Sequence, residues 1–176
     1  MSDLIERWTG KLRTVPDYPV PGILFWDVTT LFKDPEALRE VVEATYELYK
    51  DKGITKVVGI ESRGFVIGAA LAVRLGAGFV PARKPGKLPA PSWSESYDKE
   101  YGKDTVEMHQ DALEEGDVVL IHDDILATGG TAGAVGKLVR RFHPAAVHYN
   151  FLIELDDLGG RALLQPDDEV TTLMHL

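Results

Sequence analysis

The sequence predicts an α/β fold: a doubly wound, mainly parallel sheet with flanking helices. Three observations predict it. Short β-branched strands alternate with amphipathic helices along the 176 residues. Val118-Val-Leu-Ile121 is a continuous apolar run too short for a helix, as expected of a central parallel strand. The length suits one domain with enough interior for a real core, so residues 1–176 are expected to form a single domain.

The elements follow in order. Ser2 to Leu12 reads as an amphipathic helix with Leu4, Ile5, Trp8 and Leu12 on one face. The prolines of Val15 to Gly22 forbid a helix and predict a stiff extended segment, with a short strand over Ile23 to Asp27. Asp34-Pro35-Glu36 is a helix start: Asp34 can cap, Pro35 suits the first turn, and Glu36 favours the positive end of the dipole. Gly53 stops that helix. Lys56 to Ile60 is a strand, Phe65 to Leu75 a buried helix closed by Gly76, and Gly78 to Pro81 another strand. Arg83 to Lys103 has no clear period and reads as a long loop, which inside a compact domain is usually functional or disordered. Thr105 to His109 is expected to return as a strand. Thr131 to Phe142 is helical, Ala146 to Ile153 a strand, Asp156 to Leu164 a helix, and Glu169 to His175 a last strand.

Composition excludes several classes of function. The chain has no cysteine, which removes disulfide scaffolds, thiolate zinc sites, iron–sulfur clusters and a cysteine nucleophile. Its histidines lack zinc-ligand spacing, so no structural metal is expected. The net charge of −9 disfavours nucleic-acid binding by bulk charge. The longest apolar stretch, Phe65 to Val73, is far short of a membrane span. The N-terminus has no basic region followed by an apolar run, so no secretion signal is expected and a cytoplasmic location is.

The stretch Val118 to Thr131 carries the strongest chemical signal. A strand ends in two acids, Asp123 and Asp124, and Ala127-Thr-Gly-Gly-Thr131 then turns into a helix. Thr128 and Thr131 offer hydroxyls. Gly129 and Gly130 let backbone N–H groups close around an anion, and the helix N-terminus adds its dipole. The acids can accept hydrogen bonds from adjacent sugar hydroxyls, so one turn can hold a ribose 5-phosphate at both ends. It is not a Walker A motif, since no Gly-x-x-x-x-Gly-Lys-Ser/Thr occurs. Gly130, Gly133 and Gly136, spaced by threes, read as close-packing positions. Glu61-Ser62-Arg63-Gly64, between a strand and a helix, is either a second anion site or an ordinary cap made by Ser62.

This stretch resembles the phosphoribosyl-pyrophosphate (PRPP) motif of type I phosphoribosyltransferases. Pro19 to Phe25, Glu61 to Phe65, Arg83 to Pro89 and Tyr97 to Lys103 are similar, in order, to the adenine phosphoribosyltransferase family. The resemblance implies transfer of ribose 5-phosphate from PRPP to N9 of adenine, giving AMP and pyrophosphate, with Mg²⁺ carried mainly by the substrate and usually a homodimer. It implies a flexible hood loop over residues 83–104. Its positions put Ser62, Arg63, Arg83, Lys84 and Lys87 on the pyrophosphate, and Leu24, Phe25 and Leu158 on the base. They assign Glu100 to proton handling near N7 of the purine, with Arg63 at the reaction centre and Tyr101 either contacting it or anchoring the closed loop. Clustered cations would neutralise a departing pyrophosphate.

Two departures stand out. Trp26 replaces the family's usual arginine before Asp27, which opens the alternative of a 6-oxopurine such as hypoxanthine. His122 stands where an aliphatic residue usually ends the PRPP strand; it is either a buried histidine satisfied within the core or a group that tunes the adjacent acids. A non-catalytic PRPP-sensing regulator is the other alternative, and Lys84, Lys87 and Glu100 argue against it.

Overall fold

The chain opens with α1 (Ser2–Thr9), which lays Leu4, Ile5 and the buried Trp8 against the core. The computed structural model describes residues 2–99 and 102–176. Next, β1 (Arg13–Pro16) pairs antiparallel with β2 (Leu24–Asp27). Proline cannot donate to a ladder but is tolerated at a strand edge, so the proline-rich segment both begins as a strand and supplies the connection. A single helical turn, α2 (Thr29–Phe32), leads to α3 (Pro35–Tyr49). The side chain of Asp34 accepts from the N–H groups of Glu36 and Ala37, each at 3.1 Å, the cap expected from sequence.

Then come β3 (Lys56–Ile60), α4 (Gly64–Leu75) and β4 (Gly78–Ala82), with Gly76 left-handed at φ 69° to close α4. A hairpin, β5 (Ser92–Lys99) and β6 (Gly102–His109), precedes β7 (Val118–Leu126) and α5 (Gly130–Arg140). The chain ends with β8 (Ala146–Glu154), two 3-10 turns (Asp156–Leu158 and Gly160–Leu163) and β9 (Glu169–His175).

The main sheet runs β4-β3-β7-β8-β9 with every neighbour parallel, as the sequence predicts. One core cluster packs α5 and the hairpin on one face through Val106, Met108, Val135 and Leu138. Clusters built by α1 and α3, and by α3 and α4, cover the other. From β3 the chain moves toward one edge of the sheet, and from β7 toward the other. The β3/β7 boundary is therefore the switch point, and ligands bind beside the strand ends there.

Four expectations are corrected. The segment read as a loop over 83–103 contains β5, the first strand of a hairpin whose second strand, β6, takes in the strand expected over Thr105 to His109. Trp93 and Tyr97 alternate inward against the α5 core, and the polar residues between them mask that period. The strand read as Val118–Ile121 continues through both acids to Leu126, because β8 pairs with it that far. Asp156 to Leu164 is not an α-helix. Gly159, left-handed at φ 61°, breaks it into two 3-10 turns. Finally, α4 is not buried on every side, since Val73 is 84% exposed.

Candidate functional site

The glycine turn expected to hold phosphate lies where β7 meets α5. Asp123 and residues 125–132 line a pocket of about 80 Å³ that includes Ala127, Thr128, Gly129, Gly130 and Thr131. Gly129 is left-handed at φ 81°, and a Cβ on it would overlap the carbonyl of Gly160. A Cβ on Gly160 would in turn overlap the carbonyl of Ala127. These glycines let two backbone turns interlock, which fixes the aim of the N–H groups at the helix start. The other glycines of α5 are close-packing positions, as expected. A Cβ on Gly133 would come 2.9 Å from the Leu163 carbonyl, and one on Gly136 would overlap the Tyr149 hydroxyl.

The acids sit within the strand. Asp123 lines the glycine-turn pocket and also approaches the start of α4, where a Cβ on Gly64 would come 3.0 Å from its Oδ1, while the buried Asp124 pairs with Arg63. The backbone N–H of Asp124 also donates to Asp123 Oδ1 at 2.9 Å. Burial, then the neighbouring Asp124 charge, pushes the Asp123 carboxyl well above the ordinary range. Burial would lower Arg63, but Asp124 more than offsets it and its pKa is raised. Arg63 therefore bridges Asp124 and the aromatic cleft, with its guanidinium 5.2 Å from the Phe25 ring centre. Ser62 makes no side-chain cap on α4.

The cationic turn is neutralised more than its sequence suggests. Arg83 donates to both oxygens of Glu61 at 3.1 and 3.3 Å, and the Lys84 N–H donates to Glu61 at 3.0 Å. Burial would raise Glu61, yet these bonds hold it below its usual value. Lys84 Nζ pairs with Asp104, and Lys87 stays exposed. Tyr97 joins this turn to the phosphate pocket. Its hydroxyl donates to Asp104 at 3.0 Å and accepts from Thr131 at 2.8 Å.

On the other side of Arg63, a cleft of about 280 Å³ is lined by Val15, Tyr18, Phe25, Asp27, Thr29 and Arg63. Tyr18 stands edge-on to Phe25, ring centres 5.1 Å apart. Burial would raise Asp27, but hydrogen bonds from Thr29 and Arg13 bring it down to about 2. Of the base-side residues expected from sequence, Phe25 lines this cleft. Leu24 and Leu158 are 49% and 46% exposed and do not line it. Trp26 points the opposite way along β2 and packs into the cluster of Trp8, Val28 and Leu31. Glu100 and Tyr101 lie outside the described residues.

His122 is fully buried. Its Nδ1 bonds Asn150 Oδ1 at 2.9 Å, and Asn150 passes the chain to Thr171 at 3.0 Å. Thr171 meets the Tyr49 hydroxyl at 2.6 Å, which donates to the Tyr149 carbonyl at 2.9 Å. His122 Nε2 has no partner among the described residues. Burial lowers its pKa to about 4, so the ring is neutral. Of the two readings of this residue, the core histidine fits, with one nitrogen satisfied.

Sequence reasoning did not anticipate that Tyr18 lines the cleft or that Tyr97, Asp104 and Glu61 bond the expected site residues. Tyr97 alone carried a signal, as one of two aromatics at alternate positions in a polar segment.

A glycine turn beneath paired acids, at the switch point of a parallel sheet, defines a class of phosphoribosyl-binding proteins. Residues 27–171 match the phosphoribosyl transferase domain family. The chain is 63% identical over 165 residues to an adenine phosphoribosyltransferase of Bacteroides fragilis, covering 94% of this chain and 93% of that one. A crystal structure of adenine phosphoribosyltransferase from Rhodothermus marinus is similar with a TM-score of 0.95 and 52% identity over all of both chains. The Saccharomyces cerevisiae enzyme, solved with an imino-altritol bisphosphate and adenine, has a TM-score of 0.91 at 40% identity, covering 98% of this chain and 99% of that one. The chain belongs to the adenine phosphoribosyltransferase family.

Proposed function

We propose that the chain transfers ribose 5-phosphate from PRPP to N9 of adenine, releasing pyrophosphate and forming AMP, a purine-salvage reaction. One observation carries this reading. Arg63 stands between a phosphate pocket with an acid at its rim and an aromatic cleft fit for a flat base. The bond from the anomeric carbon to pyrophosphate breaks with its electron pair on oxygen. A bond to N9 forms, and adenine gives up one proton.

The acids stabilise positive charge growing on the ribose, and Lys84 and Lys87 the negative charge on the leaving group. Phe25 stacks on the base. The resemblance to the family assigns Glu100 to proton handling and leaves Tyr101 to contact the reaction centre or anchor the loop. The Asp123 carboxylate and Thr128 hydroxyl are hard oxygen donors of the kind Mg²⁺ takes, and Mg²⁺ borne by the diphosphate would offset its charge. We place the reaction in the cytoplasm, where phosphorylated substrates are retained. Among the described residues, no helix is long and apolar enough to cross a membrane. We also propose a homodimer; the exposed Val66 and Val73 on the apolar helix α4 are a face for a second copy.

Trp26 is the reason to consider a 6-oxopurine, and its packing away from Phe25 weakens that reason. Turnover with PRPP and adenine, beside hypoxanthine and guanine, tests the proposal. Turnover of adenine at a higher kcat/KM than either 6-oxopurine supports it; no turnover of any base would leave a PRPP-binding regulator.

A further inference from the structure

We propose that Arg161, remote from the reacting atoms, is a positioning residue that holds the phosphate turn in its binding geometry. Glu154 ends β8 and is buried, with the residue 6% exposed. A buried charge is costly unless it is paired and its lone pairs are used. Arg161 meets that need with a fork: Nε donates to Oε1 at 2.7 Å and Nη2 to Oε2 at 2.6 Å. The Thr172 hydroxyl donates to Oε2 at 3.2 Å, and Arg161 Nη1 donates to the Val170 carbonyl at 3.0 Å. One side chain therefore staples the second 3-10 turn to both β8 and β9.

The same turn is the support of the phosphate pocket. Gly160, next to Arg161, interlocks with Ala127 and Gly129, and Leu163 three residues on lies against Gly133 of α5. A movement of Gly160 thus meets the phosphate turn directly, with no side chain between to absorb it. Phosphate is gripped there by the aim of backbone N–H groups, which a shift of part of an ångström spoils. Asp156 and His175 bring further ligand atoms beside Glu154, but both Glu154 oxygens are already held by Arg161, so the cluster is a clamp rather than a cation site.

The inference rests on the reading that residues 127–131 hold the phosphate of PRPP. It predicts a loss in PRPP binding that a general loss of folded enzyme would not produce. Arg161→Ala should raise KM for PRPP, and its calorimetric Kd without adenine, on the order of tenfold while kcat stays within about twofold. Arg161→Lys keeps the charge without the fork and should recover part of the loss. If Arg161→Ala does not fold, Glu154→Gln decides: a raised KM for PRPP supports the clamp and an unchanged one overturns it. For Arg161→Ala itself, an unchanged KM and Kd with loss confined to kcat would overturn it. Wild-type turnover of adenine in the same series tests the reading of function separately.

Discussion

The hydroxyl of Thr131 donates to the hydroxyl of Tyr97 at 2.8 Å, and this bond ties the hairpin to the phosphate turn. A phosphate oxygen can only accept, so Thr131 must give up Tyr97 before it can donate to a phosphate. Tyr97→Phe removes the competitor. It should lower KM for PRPP by a few-fold, about the net worth of one hydrogen bond, and leave KM for adenine alone. Steady-state kinetics with each substrate varied checks it, and a raised KM for PRPP would mean that Tyr97 supports the turn instead of competing for it.

Asp123→Asn with Asp124→Asn should fold but lose turnover by about a hundredfold or more. Amides still hydrogen-bond sugar hydroxyls but carry no charge to oppose the growing positive charge of the ribose. Circular dichroism controls for folding. Turnover close to wild type in the folded double variant would show that the charge of the pair does no work.

Lys84→Ala and Lys87→Ala should each weaken inhibition by pyrophosphate, by roughly five- to tenfold, more than they weaken adenine binding. Lys87 is expected to matter at least as much as Lys84, because Lys84 must first leave Asp104 while Lys87 is exposed. Product-inhibition constants measure both, and equal constants in all three proteins would reduce the turn to surface charge.

Trp26→Phe should lower thermal stability without changing base choice. The ring belongs to the N-terminal core rather than to the Phe25 cleft. The ratio of kcat/KM for adenine over hypoxanthine should stay high, about a hundredfold or more, because a polar site fitted to an amine leaves groups unpaired against a 6-oxo group. A ratio that collapses in the variant would put Trp26 in the specificity pocket.

His122 makes stability depend on pH. In the unfolded chain it takes up a proton near its ordinary value of 6.5, whereas burial holds the folded group at about 4. Between those values the unfolded state binds more protons, so stability falls as pH drops through that window, by roughly 3 kcal/mol in full. Urea unfolding at pH 7 and pH 4.5 should show most of this. His122→Leu should be less stable at pH 7, leaving Asn150 Oδ1 without its partner, but lose less on acidification. The same pH slope in both proteins would assign it to other groups.

Local rules made much of the molecule legible. Asp34, Pro35 and Gly76 announced their helix ends through cap and turn chemistry that neighbours a few residues away complete. The run Val118 to Ile121 and the turn Ala127 to Thr131 located the pocket at the start of α5 because strand, glycine turn and helix start are contiguous. The first strand of the hairpin was not legible, since its period rests on Trp93 and Tyr97 packing against a helix dozens of residues further on.

The sequence by itself thus determined the sheet class, the glycine turn and the family, which depend on residues close along the chain. Only the tertiary structure decided how charge is shared: Arg63 on Asp124, Arg83 on Glu61, Lys84 on Asp104, and Arg161 on Glu154. It also decided that Trp26 turns from the base cleft and that Gly160 locks against Ala127 and Gly129. The physical reason is common to these cases. Ion pairing and close packing depend on distance through space, which the parallel crossovers and the 3-10 turns set, and which spacing along the chain does not encode.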